Sequence, residues 1–244
     1  MHFRLHCRVV KEIRKMANTS RKKRTAGAPR GLARGFLTEQ VYEDLKHDII
    51  TGRFRSGDSV TEEQLAHRYS ASRTPVRQAA ARAQQQGFLR YVPNKGYFVS
   101  LMNTRDVDEL YQWRMLVEAS SAELAAKRKH PDVALENLRR HAFVPFVTGN
   151  KTKYARFIQA DTAFHVGVAK LTQNKFLVAA VEGVRDWVDR ILYAAAAIDY
   201  NDYGESMAKH EQILKAIENQ DWHSAKKLML EHILESKARA YELT

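Results

Sequence analysis

The sequence is poor in the features that mark secreted and membrane proteins. It has one cysteine, Cys7, so no disulfide can form within the chain. No apolar run approaches the roughly 20 residues that span a bilayer. We therefore expect a protein of the reducing cytoplasm that has no membrane partner. A hydrophobic content of 44% over 244 residues is typical of globular proteins, and this length favours two domains.

Acidic residues are scarce in the first 35 positions. Eleven Lys and Arg stand there against a single acid, Glu12, whereas residues 101–244 hold twenty bases and twenty acids. A basic stretch that contains Gly and Pro is typical of a flexible arm that meets phosphate. A solvated arm with no specific partner fits this composition equally well. We predict no fold for residues 1–35.

Residues 36–101 have the pattern of a helix-turn-helix followed by a β-hairpin. Apolar residues recur at helical spacing after Thr38, which is a suitable N-cap for a first helix. Thr61 and Ser72 are predicted N-caps of two further short helices, separated by a tight turn. A glycine then ends the third helix, and two short apolar runs joined by a turn predict a wing.

This geometry indicates which side chains are expected to contact DNA. The second helix of a helix-turn-helix enters the major groove with its N-terminal residues against the base edges. Arg73, Thr74 and Arg77 occupy that end. Arginine can bind guanine O6 and N7 or a phosphate, and threonine can contact a phosphate or a thymine methyl. The wing turn can place Lys95 and the bare backbone of Gly96 near DNA.

Four motifs stand in order along this segment: Leu65-Ala66, Ser72-Arg73-Thr74-Pro75-Val76-Arg77, Gly87-Phe88 and Pro93-Asn94-Lys95-Gly96. They resemble the winged helix of the GntR family of regulators. The resemblance implies DNA contacts at Arg73, Thr74, Arg77 and Gly96. This sequence departs from the family pattern at Ala71, Gln78 and Ala80, where valine, glutamate and leucine respectively are common in the family.

Residues 102–244 are predicted to form a helical effector-binding and dimerisation domain. The first helix should begin after Thr104 as its N-cap, and strand patterns are few. The fold class is therefore mainly α, with an N-terminal winged helix-turn-helix and a C-terminal all-α antiparallel bundle. Facing helices of such a bundle can build a ligand or metal site. The five later helices are expected near 131–147, 151–172, 174–197, 204–219 and 222–242.

Four residues of the bundle have the spacing of a metal site. Asp161 and His165 are four positions apart and share a helix face. His210 and His232 flank a predicted hairpin turn and come level with each other on antiparallel helices. Three imidazoles and a carboxylate suit zinc or nickel better than calcium or magnesium. The alternative is that each histidine is separately a packed or exposed residue.

These residues also resemble the FCD effector domain of the FadR-like branch of the GntR family, in its six-helix VanR-like form. The resemblance covers residues 104–240 and implies a divalent metal held by the four residues above. It also implies a small carboxylate effector beside an arginine of the first bundle helix, which is Arg114 here. An exposed position on the helix or a pairing with Glu118 at i+4 would also suit this arginine. Asn174 stands near the pocket in relatives, although a helix-capping role suits it equally. Repression relieved by ligand is the usual mode of the family.

Two other classes of function are weighed against a regulator. A metal-dependent enzyme would need a general base and an oriented substrate, and no zincin-like glutamate or Ser/His/Asp set is evident. An architectural DNA-binding protein would explain the basic arm but not a metal pocket. We therefore predict a regulator that is not an enzyme. A single recognition helix reads too few bases for specificity, so we expect a homodimer on a pseudo-palindromic operator.

Overall fold

The computed structural model describes residues 30–142, 144, 151–195 and 204–241, and the helices and strands within this part of the chain make the protein mainly α. Most of the predicted basic arm, including Cys7, lies outside the described residues. The elements in chain order are α1 (Arg30–Ile50), β1 (Ser59–Val60), α2 (Glu62–Tyr69), α3 (Arg73–Gln85), β2 (Leu89–Val92), β3 (Gly96–Val99), α4 (Thr104–Ala126), α5 (Asp132–Ala142), α6 (Lys151–Leu171), α7 (Lys175–Ala195), α8 (Gly204–Glu218) and α9 (Trp222–Tyr241).

The described residues up to Leu45, together with Val60–Tyr97, form one compact unit that contains the predicted helix-turn-helix. Thr61 caps α2, because its hydroxyl accepts from the Gln64 backbone N–H at 3.1 Å while the Gln64 side chain accepts from the Thr61 N–H at 2.9 Å. Ser70 then takes the left-handed conformation that turns the chain into α3. The unit buries Val41, Tyr42, Leu45, Leu65, Val76, Ala79, Ala80, Ala83, Phe88, Leu89 and Tyr97.

The predicted wing is present as a hairpin of β2 and β3. The sheet has the order β1-β3-β2, so β3 is its central strand. The two-residue strand β1 was not predicted, because so short a run shows no alternation of apolar and polar residues. The wing is thus part of a three-stranded sheet.

Two predicted N-caps are wrong. Thr38 lies inside α1, which begins eight residues earlier, and its hydroxyl donates to the Gln78 side chain at 3.0 Å. Glycine at positions 31 and 35 disfavours a helix, but each interior glycine costs a helix only about 1 kcal/mol. For α4, the N-cap is Asn103, one residue before Thr104: its side chain accepts from the Asp106 N–H at 3.0 Å, and the Asp106 carboxylate accepts from the Asn103 N–H at 2.8 Å.

The second compact unit contains Lys46–Ser59 and the described residues from Phe98 onwards. Its helices α4 to α9 agree with the six predicted ones, although α5 ends at Ala142, earlier than expected. Helix α9 packs along α4 and α8, while α6 packs against α5 and α7. No described helix is long and apolar enough to cross a membrane. The domain limits expected from the sequence, 36–101 and 102–244, stay a prediction.

The core of this second unit runs between the helices and surrounds the predicted metal ligands. Helix α7 shows why this core forms, because apolar side chains recur every three or four residues along the helix and form one inward-facing stripe. Its buried residues on that stripe include Val181, Val184, Val188 and Ile191. Charged residues on the same inner surface are therefore exceptional and mark the candidate site.

Candidate functional site

The N-terminal end of α3 presents the predicted DNA-reading side chains to solvent. Arg73, Thr74 and Arg77 are all exposed, while Pro75 and Val76 between them are buried and anchor the helix. No acidic residue stands in the first turn, and the Ser72 side chain makes no capping hydrogen bond. The first backbone N–H groups of α3 therefore remain available to a phosphate, which a helix N-terminus favours.

The wing turn places Lys95 at the surface. The Lys95 backbone N–H donates to the Val92 carbonyl at 3.0 Å and closes a tight turn. Asn94 and Gly96 have positive φ angles of 62° and 85°. A Cβ on Gly96 would meet only the Val60 carbonyl at 3.6 Å, so the backbone angle rather than crowding favours glycine here.

All four predicted metal ligands come together in the interior of the bundle. Asp161 and His165 lie on α6, His210 on α8 and His232 on α9, and one ligand atom of each lies within 4.8 Å of the others. The Nε2 atom of His232 is 3.3 Å from Nε2 of His210 and 3.2 Å from Nε2 of His165. Oδ1 of Asp161 is 3.4 Å from Nε2 of His210. Phe164 stacks on the His210 ring at a centroid distance of 4.1 Å.

The protonation of these groups suits cation binding. Burial lowers the pKa values of His165 and His232, and it lowers the pKa of His210 to about 3. Burial alone would raise the pKa of Asp161, but Arg185 and the neighbouring histidines hold it below its usual value. The cluster thus offers neutral imidazoles and an ionised carboxylate, the forms that bind a metal.

The spacing of the donor atoms fits a transition-metal ion. Ligand atoms about 2.0 Å from a tetrahedral zinc ion lie about 3.3 Å from one another. The two Nε2 distances that involve His232 have this length. These residues could therefore hold a divalent ion.

A set of buried charges surrounds the cluster, and most of these groups were not predicted from the sequence. Arg185 of α7 donates to Asp161 through Nη2 and to the Thr162 hydroxyl through Nε at 3.1 Å. Asp189 accepts from Thr162 at 2.5 Å, and burial raises the pKa of Asp189 to about 6. Glu118 of α4 pairs with Arg114. Ionic groups thus enclose the four ligands on two sides.

Comparisons with known proteins agree with both parts of this structure. The family model described as "Bacterial regulatory proteins, gntR family" matches residues 37–99, and the FCD domain model matches residues 109–235. The chain belongs to the GntR family. The Uxu operon regulator of Haemophilus influenzae is 30% identical over 220 residues, which cover 82% of this chain and 80% of the relative.

Other relatives and solved structures of the GntR family extend the likeness. The Nta operon transcriptional regulator of Aminobacter aminovorans is 29% identical over 165 residues, which cover 68% of this chain and 74% of the relative. The structure of E. coli McbR/YncC matches with a TM-score of 0.69 and 22% identity, over 84% of this chain and 97% of that one. A putative GntR regulator from Rhodococcus sp. RHA1 matches with a TM-score of 0.67 and 20% identity, over 85% and 98%. These structures show the fold.

Membership in the GntR family settles the class of function. The chain is a DNA-binding transcriptional regulator of the GntR/FCD type and not an enzyme, as the sequence predicted. Its winged helix implies DNA as a partner, and its FCD domain implies a small-molecule effector. The buried cluster lies within the residues that the FCD model matches, and FCD domains are associated with metal binding.

The two predicted effector residues lie in different places. Arg114 is fully buried and pairs with Glu118, which is the i+4 partnership that the spacing allows. Asn174 is exposed and caps α7, because its side chain accepts from the N–H groups of Phe176 and Leu177 at 3.0 and 3.3 Å. It precedes Arg185 by eleven residues, about 16 Å along the helix. The structure does not bring Asn174 to the cluster, and its effector role stays a prediction.

Proposed function

We propose that this regulator is a homodimeric repressor whose affinity for a pseudo-palindromic operator changes when a small carboxylate binds at a divalent metal in the FCD domain. The observation that supports it most is the meeting of Asp161, His165, His210 and His232 in the interior of the bundle. A direct test is elemental analysis of protein purified without chelator. The same protein is then titrated with operator DNA in the presence of a panel of mono-, di- and tricarboxylates.

The chemistry of the donor set favours zinc or nickel. Imidazole nitrogens suit late first-row ions, whereas calcium and magnesium prefer oxygen ligands in larger numbers. Three histidines and one carboxylate also leave positions free on an ion that takes five or six ligands. An effector oxygen can occupy such a position. We expect zinc or nickel near one equivalent per chain, and magnesium or calcium as the dominant ion would contradict this choice.

The charge balance of the buried site supports a carboxylate effector. Two arginines, Arg114 and Arg185, face three acids, Glu118, Asp161 and Asp189, while the histidines are neutral. This balance amounts to one negative charge, and a divalent ion would change it to one positive charge. A buried unpaired charge is costly, so a singly charged carboxylate beside the metal would relieve it.

Arg114 retains the capacity to bind such an effector. Its guanidinium has five N–H donors, and Glu118 accepts two of them at 2.8 and 3.3 Å. The Ser236 hydroxyl accepts a third at 3.2 Å. One N–H on each terminal nitrogen is left for a ligand oxygen. A charge-assisted hydrogen bond from Arg114 would thus add to metal coordination of the carboxylate.

We expect Arg77→Ala to weaken specific operator binding by about 1–3 kcal/mol, or roughly 5- to 150-fold, because it removes a side chain able to read guanine. The loss on random DNA should be smaller. Arg73→Ala should behave similarly, whereas Lys95→Ala should weaken binding to all sequences by a similar factor. Arg140→Ala removes the same charge from an exposed position on α5 and serves as the control. Titrations of operator and random duplexes at one salt concentration measure these effects.

Equal losses on operator and random DNA would contradict a base-reading role. In that case Arg77 would contact phosphate alone, and the sequence specificity would have to come from other residues of the winged helix-turn-helix. An unchanged affinity for both duplexes would remove Arg77 from the interface.

The proposed dimer has a candidate contact face on the bundle. Trp113, Leu116 and Leu124 lie along one side of α4, and Leu116 is 71% exposed. Grouped exposed apolar side chains mark interaction surfaces, and a two-fold axis would pair such a surface with itself.

We expect Leu116→Glu to raise the dimer dissociation constant by about 100-fold or more, because two-fold symmetry would oppose two introduced carboxylates and like charges at an interface cost several kcal/mol. Val133→Glu is the matched control, since Val133 is an equally exposed apolar residue on α5. Sedimentation velocity at micromolar concentration measures the change. A Leu116→Glu protein that remains dimeric would place the interface elsewhere, and a monomeric wild-type protein would remove the dimer from the proposal.

A further inference from the structure

A single buried carboxylate touches both the proposed metal site and the proposed effector arginine. Glu118 of α4 is 1% exposed. Its Oε1 accepts from Nε of Arg114 at 2.8 Å, and its Oε2 accepts from Nη2 of Arg114 at 3.3 Å. The same Oε2 lies 2.5 Å from Nδ1 of His165. Glu118 is not among the predicted site residues, yet its two oxygens contact two of them.

The contact with His165 bears on which ring nitrogen carries the proton. A neutral imidazole has one N–H, and the group that faces one nitrogen determines whether the other is free. An ionised carboxylate can only accept, so the proton of His165 belongs on Nδ1, beside Glu118. Nε2 then keeps its lone pair, and this atom is the one that lies 3.2 Å from Nε2 of His232. Nδ1 of His165 makes no hydrogen bond of regular geometry, so its contact with Glu118 is defined by the short distance.

The orientation of Arg114 depends on the same carboxylate. Besides Glu118, the guanidinium contacts the Ser236 hydroxyl of α9 at 3.2 Å, and that hydroxyl lies 2.9 Å from the Tyr111 hydroxyl. Two of the three hydrogen bonds that hold Arg114 therefore end on Glu118. A planar guanidinium held on one edge presents its remaining N–H groups in a fixed direction.

We infer that Glu118 is a positioning residue that holds His165 in its metal-binding tautomer and holds Arg114 toward the effector, so that both halves of the site share one carboxylate. The inference rests on the proposed function, since it assumes a metal at the cluster. Carboxylates that orient metal-bound histidines typically change metal affinity by about 10–100-fold when they are removed. Glu118 lies at the distance of such a partner from Nδ1 of His165.

The decisive variant is Glu118→Gln, which replaces an acceptor by a group that can also donate. The amide NH2 would donate to Nδ1 of His165 and drive the proton to Nε2, where it blocks coordination. We expect zinc affinity to fall about 10- to 100-fold, measured by competition with a chromophoric chelator. Glu109→Gln removes the same charge from an exposed position on α4 and should leave zinc affinity unchanged. Equal zinc affinities for Glu118→Gln and wild type would overturn the inference.

A measurement on the wild-type protein keeps the inference testable if Glu118→Gln does not fold. Long-range ¹H–¹⁵N spectra of histidine-labelled, zinc-free protein report the tautomer of each ring, and the His165 resonances are those lost in His165→Asn. We expect a proton on Nδ1 of His165, and a proton on Nε2 would overturn the role of Glu118. Failure of the proposed function is distinct, because then the wild-type protein itself would not bind zinc in the chelator competition.

Discussion

His210→Ala should lose most of its metal and stop responding to the effector while it remains a folded protein. His210 contributes one of three converging Nε2 atoms, and the nearest of the others, on His232, is 3.3 Å away. Removing a direct ligand should cost more than the roughly 10–100-fold that outer partners contribute. Elemental analysis after dialysis should therefore find little zinc or nickel. The same result is expected for His232→Ala, whose ring is equally buried.

The loss of regulation follows from thermodynamic linkage. An effector changes operator affinity only if it binds two arrangements of the protein unequally, and typical couplings correspond to about 5- to 150-fold. Without the metal, the carboxylate loses its coordination bond, and the operator affinity measured with and without effector should become equal. His141→Ala is the control, because His141 is an exposed histidine on α5. A His210→Ala protein with full metal content and a normal response would refute the proposed metal site.

The meeting of the four ligands could be predicted because it depends only on helical periodicity. Asp161 and His165 are four positions apart on one helix and therefore share a face. A helical hairpin with a known turn position brings His210 level with His232. The recognition end of α3 was predictable for the same reason, since Arg73 and Arg77 follow a short helix and a tight turn. Local patterns of this kind need no knowledge of which helices pack together.

The groups around the ligands depend on helix packing and were therefore missed. Glu118 reads as an ordinary i+4 partner of Arg114, and nothing in α4 shows that His165 of another helix lies beside it. A usable indication existed for Arg185, which stands four residues after Val181 and three before Val188, both buried. A charged residue on an apolar stripe predicts a buried ionic partner, although the partner's identity requires the tertiary structure.

Arg185→Met should destabilise the metal-free protein strongly, because it leaves carboxylates buried without their cation. Arg185 is 1% exposed and donates to both Asp161 and Asp189. Removing one partner of a buried ion pair costs about 3–5 kcal/mol. For a unit of this size that corresponds to a fall of roughly 6–20 °C in melting temperature. Methionine retains much of the volume, so the loss reports the missing charge more than a cavity.

Zinc should restore most of this loss, and that rescue separates the electrostatic role of Arg185 from packing. In the wild-type protein Asp161 pairs with Arg185, so a metal must share a carboxylate that already has a cation. In Arg185→Met the metal would replace the cation that Arg185 supplies to Asp161, and a ligand that binds only the folded state stabilises it by mass action. The zinc-induced rise in melting temperature should therefore be larger in the variant than in the wild type. Arg156→Met, at an exposed position on α6, is the control, and equal zinc-induced rises in wild type and Arg185→Met would show that Arg185 serves packing alone.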